Sequence, residues 1–383
     1  MKRRTAVALL PRSPRLPVTL SVLLLTAACA GTPPAPTAPT VARVWPLPPD
    51  PPRIAYERNL TQAEIKKPKG FFARLLARII GEGEIEPARM IRPFALFTDD
   101  RGTLFVTDMG LQVVHRFAPD GTYGQLFRLN SGRRLLSPTG VTADREGVVY
   151  VADSQLNRVL VFDQAGAYQR EFLADGDVVR LTGVAYHRGR DALYLSDAGG
   201  HRVLIYGRDG HKLGEFGTRG PANGQFNFPT HLAVDESGRL YVTDAMNFRI
   251  QVLDPDGAWV RSIGQLGSTL GSFSKPKGVG LDRHGNVYVV DGLYDTVQIF
   301  NPDGELLLNF GDAGTKEGAF WLPTGVAVDR QDRIYVADTY NARVQVFRLL
   351  DASIEPGEPE NQGTGDGVTG ETSSGRSGEG ENR

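Results

Sequence analysis

The sequence predicts an all-β fold, a six-bladed β-propeller of four-stranded blades, with its ring closed by an N-terminal strand and one short accessory helix. Three observations predict it. An aspartate ending a short Tyr-Val-Ala-like run recurs at Asp108, Asp153, Asp197, Asp244, Asp291 and Asp338, with spacings of 45, 44, 47, 47 and 47 residues. Each such run sits between a Gly-Val-Ala-Val-like run and a Val-Gln-Val-Phe-like run, and the β-branched and aromatic enrichment of all three suits strands. The 45 glycines and 25 prolines punctuate these runs, and the Asp-Gly and Glu-Gly pairs among them suit tight hairpins. Six marks at one period mean a ring of blades rather than two unrelated domains.

The elements follow in chain order. Residues 1–28 read as a secretory signal, with Lys2, Arg3, Arg4, Arg12 and Arg15, the apolar run Val18–Leu25, and then small residues. The single cysteine, Cys29, follows Leu25-Thr26-Ala27-Ala28, a string that resembles the bacterial lipobox, in which the cysteine is lipidated. Ala30 stands where a retention Asp would keep such a protein at the inner membrane. The expectation is therefore an exported, lipid-anchored chain at the outer membrane, facing the periplasm. Residues 29–52 are Pro-rich and read as an extended tether, rising about 3 Å per residue where polyproline-like.

The propeller is expected over 53–350. Arg53–Leu60 alternates apolar and polar residues. It precedes the first blade, and the last blade lacks a fourth strand, because the chain soon turns polar after Phe347. Residues 53–60 are therefore expected to supply that strand and close the ring. Over 66–81, Phe71, Phe72, Leu75, Leu76, Ile79 and Ile80 form one stripe of a helix, preceded by Lys66, Lys67 and Lys69. That helix, 71–80, either packs on the propeller or lies at a membrane surface. Each blade then reads as strands a, b, c and d. Residues 351–383 carry eight acids and two bases with few apolar residues, and are expected to be a disordered tail.

The pattern Pro-x-Gly-Val-Ala-Val-Asp, then Tyr-Val-Ala-Asp-x-x-Asn-x-Arg-Val-Gln-Val-Phe, best seen over 323–347, resembles the NHL repeat. The connectors Gly220-x-x-x-Gly224-x-Phe226, Gly267-x-x-x-Gly271-x-Phe273 and Gly314-x-x-x-Gly318-x-Phe320 resemble its interblade loop. The resemblance covers about 93–347. It departs in blade 3, where His187 replaces the strand-a Asp and Arg188–Asp191 is inserted. It implies a six-bladed propeller of the bacterial lipoprotein type.

Charge narrows function. Residues 29–350 hold 36 bases and 36 acids, a balance that argues against nucleic acid as a partner. The d-to-a connectors and b-to-c loops share one face, and loops on a rigid scaffold commonly bind. On that face His231, Lys277 and Trp321 break the repeat, and Thr139, Thr182, Thr230 and Thr324 stand near the axis. These seven are the candidate binding residues, with interblade packing as the alternative for Trp321. The pairs Asp153 and Arg158, Asp197 and Arg202, Asp244 and Arg249, and Asp338 and Arg343 share one spacing and read as a structural loop brace. Val113 and Thr296 stand where Arg would.

Some NHL propellers are amidating lyases with an axial zinc held by three histidines. The matching positions here, Phe94, Thr139, Thr182, Thr230, Lys277 and Thr324, hold none. His115, His187, His201, His211 and His284 are expected as exposed polar residues. No catalytic residue is assigned and no cofactor is predicted, although a Ca or Zn ion held in the channel would leave little trace in the sequence. The expected function is a non-catalytic envelope scaffold for a protein, peptide or envelope polymer. The alternative is a metal-dependent propeller enzyme of the lyase or lactonase type with its site in the axial channel.

Overall fold

The computed structural model describes residues 43–60, 89–126, 128–129, 132–173 and 178–350. The expected signal, Cys29, the helix over 66–81 and the tail 351–383 lie outside them. The described chain forms six antiparallel sheets. Blade 1 is Pro93–Thr98, Leu104–Asp108, Val113–Phe117 and Tyr123–Leu126. Blade 2 is Pro138–Ala143, Val149–Asp153, Arg158–Phe162 and Tyr168–Leu173, and blade 3 is Leu181–His187, Ala192–Asp197, Arg202–Gly207 and Lys212–Phe216. Blade 4 is Pro229–Val234, Leu240–Asp244, Arg249–Leu253 and Trp259–Ile263, and blade 5 is Pro276–Leu281, Val287–Asp291, Thr296–Phe300 and Leu306–Phe310.

Blade 6 takes three strands from the C-terminal end, Val326–Val328, Arg333–Asp338 and Arg343–Leu349, and its fourth is Ile54–Leu60. The closing strand pairs with Arg343–Leu349 from Ile54↔Leu349 to Leu60↔Val344. Ile54 is fully buried, and Tyr56 meets Phe347 edge-on at 5.7 Å between centroids. The tether was expected to run to residue 52, but the folded body begins earlier. Val44–Trp45 adds a fifth strand outside Ile54–Leu60. Trp45 is 8% exposed and packs on Phe310 and Phe347, while Arg43 pairs with Asp312 at 2.7 Å. Two paired residues are too few to leave a periodic signal, which is why the pattern missed them.

Burial explains the strand composition. Strand b is buried along its whole length in blades 1 to 5. Such a strand packs on a neighbouring blade through both faces and reads as a continuous apolar run. The connector phenylalanines Phe226, Phe273 and Phe320 are fully buried, each contributing about 1.5–3 kcal/mol of burial. They require glycine beside them. Gly311 has φ +93°, and a Cβ there would sit 2.2 Å from the Phe320 ring.

The start of strand a departs from regular pairing. Its register with strand b shifts between Pro93 and Leu96, Pro138 and Gly140, Leu181 and Gly183, Pro229 and Leu232, and Pro276 and Val279. A bulge re-aims side chains. Here it acts on the two residues after the repeat's Pro, which are the positions of His231 and Lys277.

Candidate functional site

The six aspartates are fully buried and hold the loop face together. Asp338 accepts from the N–H of Trp321 at 2.8 Å, Asn341 Nδ2 at 2.8 Å, Arg343 Nε at 2.7 Å and Gln345 Nε2 at 3.0 Å. Asp244 does the same with Asn227 N–H, Asn247, Arg249 and Gln251. Asp197 accepts from Arg180 N–H and from Arg202 Nε at 3.3 Å. Asp153 departs from the expected pairing. It accepts from the N–H groups of Leu136, Ser137, Gln155 and Leu156, and Arg158 turns instead toward Glu171 at 3.6 Å. Each carboxylate ties a connector to a b-to-c loop, so these residues position the face by bonds already made.

Blade 1 fills the missing arginine differently. His115 is fully buried rather than exposed, with Nδ1 2.8 Å from the Tyr123 hydroxyl and Nε2 3.4 Å from Asp108. Burial opposes charge on Asp108, but His115 and the loop N–H groups outweigh it and hold the carboxyl below its ordinary range. His187 is also buried, with Nε2 3.1 Å from the Gly238 carbonyl in the next blade. At His115 the non-repeating Tyr123 supplies a partner, and at His187 a hairpin carbonyl of the next blade does.

The strand-a aspartates of the repeat pattern have tyrosine partners that were not assigned from the sequence. Asp144, Asp235, Asp282 and Asp329 accept hydrogen bonds from Tyr150, Tyr241, Tyr288 and Tyr335 in the a–b hairpins. The signal was available, because each tyrosine follows its aspartate by six residues. Burial first, and the carboxylate second, pushes the Tyr241 phenol up to about 12.

At the axis the threonines do not ring an open channel with hydroxyls. Thr324 Oγ1 donates to the Phe94 carbonyl of the next blade at 2.9 Å and lies 2.7 Å from Thr339 Oγ1. Thr182 Oγ1 lies 2.9 Å from Ser196 Oγ and 3.3 Å from the Thr230 carbonyl, and Thr139 faces the Ala152 carbonyl at 3.5 Å. These hydroxyls join strands within and between blades. Thr230 Oγ1 lies 3.3 Å from His231 Nδ1.

Phe94 and His231 have ring centroids 5.4 Å apart. They belong to blades 1 and 4, three steps apart in a ring of six, so their contact crosses the axis. His231 keeps some residue exposure, but its Nε2 is buried and has no partner. Burial, and then Lys277, pushes its pKa down to about 3. An imidazole whose folded pKa is below its unfolded value of about 6.5 contributes stability that is full above about 6.5 and is lost as pH falls toward the folded value. His231→Gly, which installs the residue found in blades 2, 3, 5 and 6, is therefore expected to melt with a shallower loss between pH 7 and pH 4 than the wild type. Equal slopes in the two melting-temperature series would remove His231 as a buried neutral group.

Below this contact lies a cavity of about 550 Å³, lined by strand a and the a–b hairpin of all six blades. Leu96, Val141, Val184, Leu232, Val279 and Val326 form an aliphatic belt in its wall. Its mouth lies on the hairpin face, opposite the loop face. Asp100 there pairs with Arg188 of blade 3 and with Arg330 of blade 6, the latter at 2.9 Å. Among the described residues no three His, Cys, Asp or Glu side chains converge on a point that could hold a metal ion.

Among the described residues, ten of the fourteen large apolar side chains that stand exposed lie in the connectors and b-to-c loops, and none in an a–b hairpin. Trp321 is 48% exposed rather than packed between blades; it meets Tyr340 at 5.7 Å, over which Arg92 lies at 5.8 Å. Ile91, Met246, Leu293 and Tyr294 are exposed on the same face.

The NHL repeat family matches residues 226–253 and 320–347, which are the connector phenylalanine and strands a to c of blades 4 and 6. Those blades share the full Asp, Asn, Arg and Gln set described above. Among solved structures, a streptogramin B lyase matches with a TM-score of 0.52 and 11% identity, over 68% of this chain and 95% of that one. An auxiliary nutrient binding protein from Bacteroides thetaiotaomicron matches with a TM-score of 0.54 and 13% identity, over 68% and 70%. A luciferin-regenerating enzyme matches with a TM-score of 0.51 and 14% identity, over 70% and 94%. At such identities the likeness is one of fold.

Proposed function

We propose, on the premise that this chain is a six-bladed β-propeller carrying NHL repeats, that it is a non-catalytic scaffold of the cell envelope. It is exported, lipid-anchored through Cys29 at the outer membrane, and takes a protein, peptide or envelope polymer on its loop face. The observation that carries this reading is the concentration of exposed apolar side chains on that face, around Trp321 and Tyr340. An apolar centre with an aromatic pair and an arginine suits a macromolecular contact, and contiguous exposed apolar surface on a soluble domain marks such contacts. The carboxylates of the face are spent on loop N–H groups, which suits a rigid platform rather than acid–base chemistry.

The test is crosslinking and capture from envelopes. The Trp321→Ala, Tyr340→Ala double variant is expected to lose at least 10-fold of the captured partner. Trp259→Ala, on the outer strand of blade 4 and 41% exposed, is expected to keep it. Cys29→Ser in the same preparations is expected to move the chain from the membrane to the soluble fraction. An unchanged partner set in the double variant would remove this face as the binding surface.

A further inference from the structure

The residues after the repeat's Pro, or after Leu181 in blade 3, are Phe94, Thr139, Thr182, Thr230, Lys277 and Thr324, and the next are Ala95, Gly140, Gly183, His231, Gly278 and Gly325. The small residues have a packing reason. A Cβ on Gly183, Gly278 or Gly325 would meet a carbonyl of the next blade at 2.4, 2.5 or 2.3 Å. Against that background three residues stand out, Phe94, His231 and Lys277, and the fold gathers them at the mouth of the axis on the loop face. Phe94 crosses from blade 1 to lie against the His231 ring, and Lys277 enters from blade 5 close enough to lower the imidazole's affinity for a proton.

Their hydrogen-bonding capacity is unspent. His231 Nδ1 lies beside the Thr230 hydroxyl, and Nε2 is buried and meets no partner; in the tautomer in which that hydroxyl donates to Nδ1, the imidazole proton sits on Nε2. Lys277 is half-buried, its Cγ lies beside Gly292, and its ammonium has no hydrogen-bond or ion-pair partner among the described residues. Nearby acids are occupied. Asp291 accepts from the N–H groups of Ser274 and Lys275, and Asp295 accepts from Leu322 N–H at 2.6 Å. Lys275 adds a further positive charge, which also disfavours protonation of Lys277 after the larger effect of burial. Two unpaired polar groups on neighbouring blades, one of them charged, are a cost to the fold that one acceptor group of opposite charge would remove.

We propose that His231 and Lys277 form a carboxylate-recognition site at the axial mouth of the loop face. It rests on the loop face being the binding surface, and it names the chemistry of the partner: a peptide presenting an acidic side chain or its free C-terminus. One carboxylate oxygen accepts from Nε2–H and the other from the Lys277 ammonium, with Phe94 as the apolar floor beneath.

The test uses the full chain labelled with ¹⁵N-histidine, whose six histidines include one at position 231. N-acetylalanine supplies an α-carboxylate, N-acetylglutamate amide a side-chain carboxylate, and N-acetylglutamine amide neither. The His231 ring signal is expected to shift saturably with the two carboxylates and not with the amide. The tighter of the two identifies the source. Lys277→Met is expected to weaken the effect at least 10-fold. A shift from none of the probes, or an equal shift from the amide, overturns the site. The Trp321→Ala, Tyr340→Ala variant is expected to leave the titration unchanged. A failed capture test with an intact titration then faults the scaffold reading, and the reverse outcome faults the carboxylate site.

Discussion

Deleting residues 53–60 is expected to lower the melting temperature by more than about 10 °C and to broaden the transition, by the usual scaling of stability to melting in domains of this size. The strand is the fourth of blade 6, with Val44–Trp45 outside it, and pairs along the length of Arg343–Leu349. Its loss bares the ladder of that strand and opens the seam between the first and last parts of the fold. It also uncovers Phe347, which lies 4.9 Å from Phe310 and 5.7 Å from Phe320. Ile54 alone is fully buried, and its burial is worth about 1.5–3 kcal/mol. Against a net stability of about 5–15 kcal/mol, the strand and the aromatic cover it provides are a large share. Differential scanning calorimetry of the deletion beside the wild type measures this. A superimposable melt would mean that the ring holds without its closing strand.

Asp338→Ala is the second large effect, a loss of about 3–5 kcal/mol in urea unfolding. The side chain is fully buried and joins four donors, two of which come from strand c. Removing it leaves the Arg343 guanidinium without its carboxylate and the Trp321 N–H without an acceptor in the same place. Arg343 would retain only the carbonyls of Lys316 and Ala319. Breaking one partner of a buried ion pair costs far more than the pair contributes, because a charge is left uncompensated. Arg343→Ala is expected to cost less, since Asp338 keeps Asn341, Gln345 and a backbone N–H. A change below about 0.5 kcal/mol for Asp338→Ala would demote the brace to an ordinary surface feature.

How much of this was legible follows from what repeats. Asp338 recurs in all six blades, and Phe320 and Gly311 in the three connectors before blades 4, 5 and 6, because each of those places solves the same packing problem, and period is what a sequence displays. The closing strand was legible for a related reason: blade 6 came up one strand short, and Arg53–Leu60 alternated as an edge strand should. The contacts that stayed hidden are those a single blade makes once. His115 is satisfied by Tyr123 of a divergent strand d, and nothing in the repeat announces that pairing. Phe94 meets His231 across a sequence distance of 137 residues, so each looked like an isolated deviation. Trp321 resembled the buried connector phenylalanines by position, but it comes one residue after Phe320, which already fills the interblade space.

The short outer strand has a mechanical consequence. A pull on the chain ahead of Arg43 is transmitted first to the Arg43–Asp312 pair and to Trp45, which lies within van der Waals reach of the Gly318 turn, and only afterwards to Ile54. Eight residues, Pro46 to Arg53, separate that grip from the closing strand, and Arg53 N–H donates back to the Trp45 carbonyl at 2.7 Å. The arrangement works as strain relief on a cable. Tension arriving from the N-terminal side is met at the clamp between blades 5 and 6, and the seam of the ring is spared until the clamp lets go.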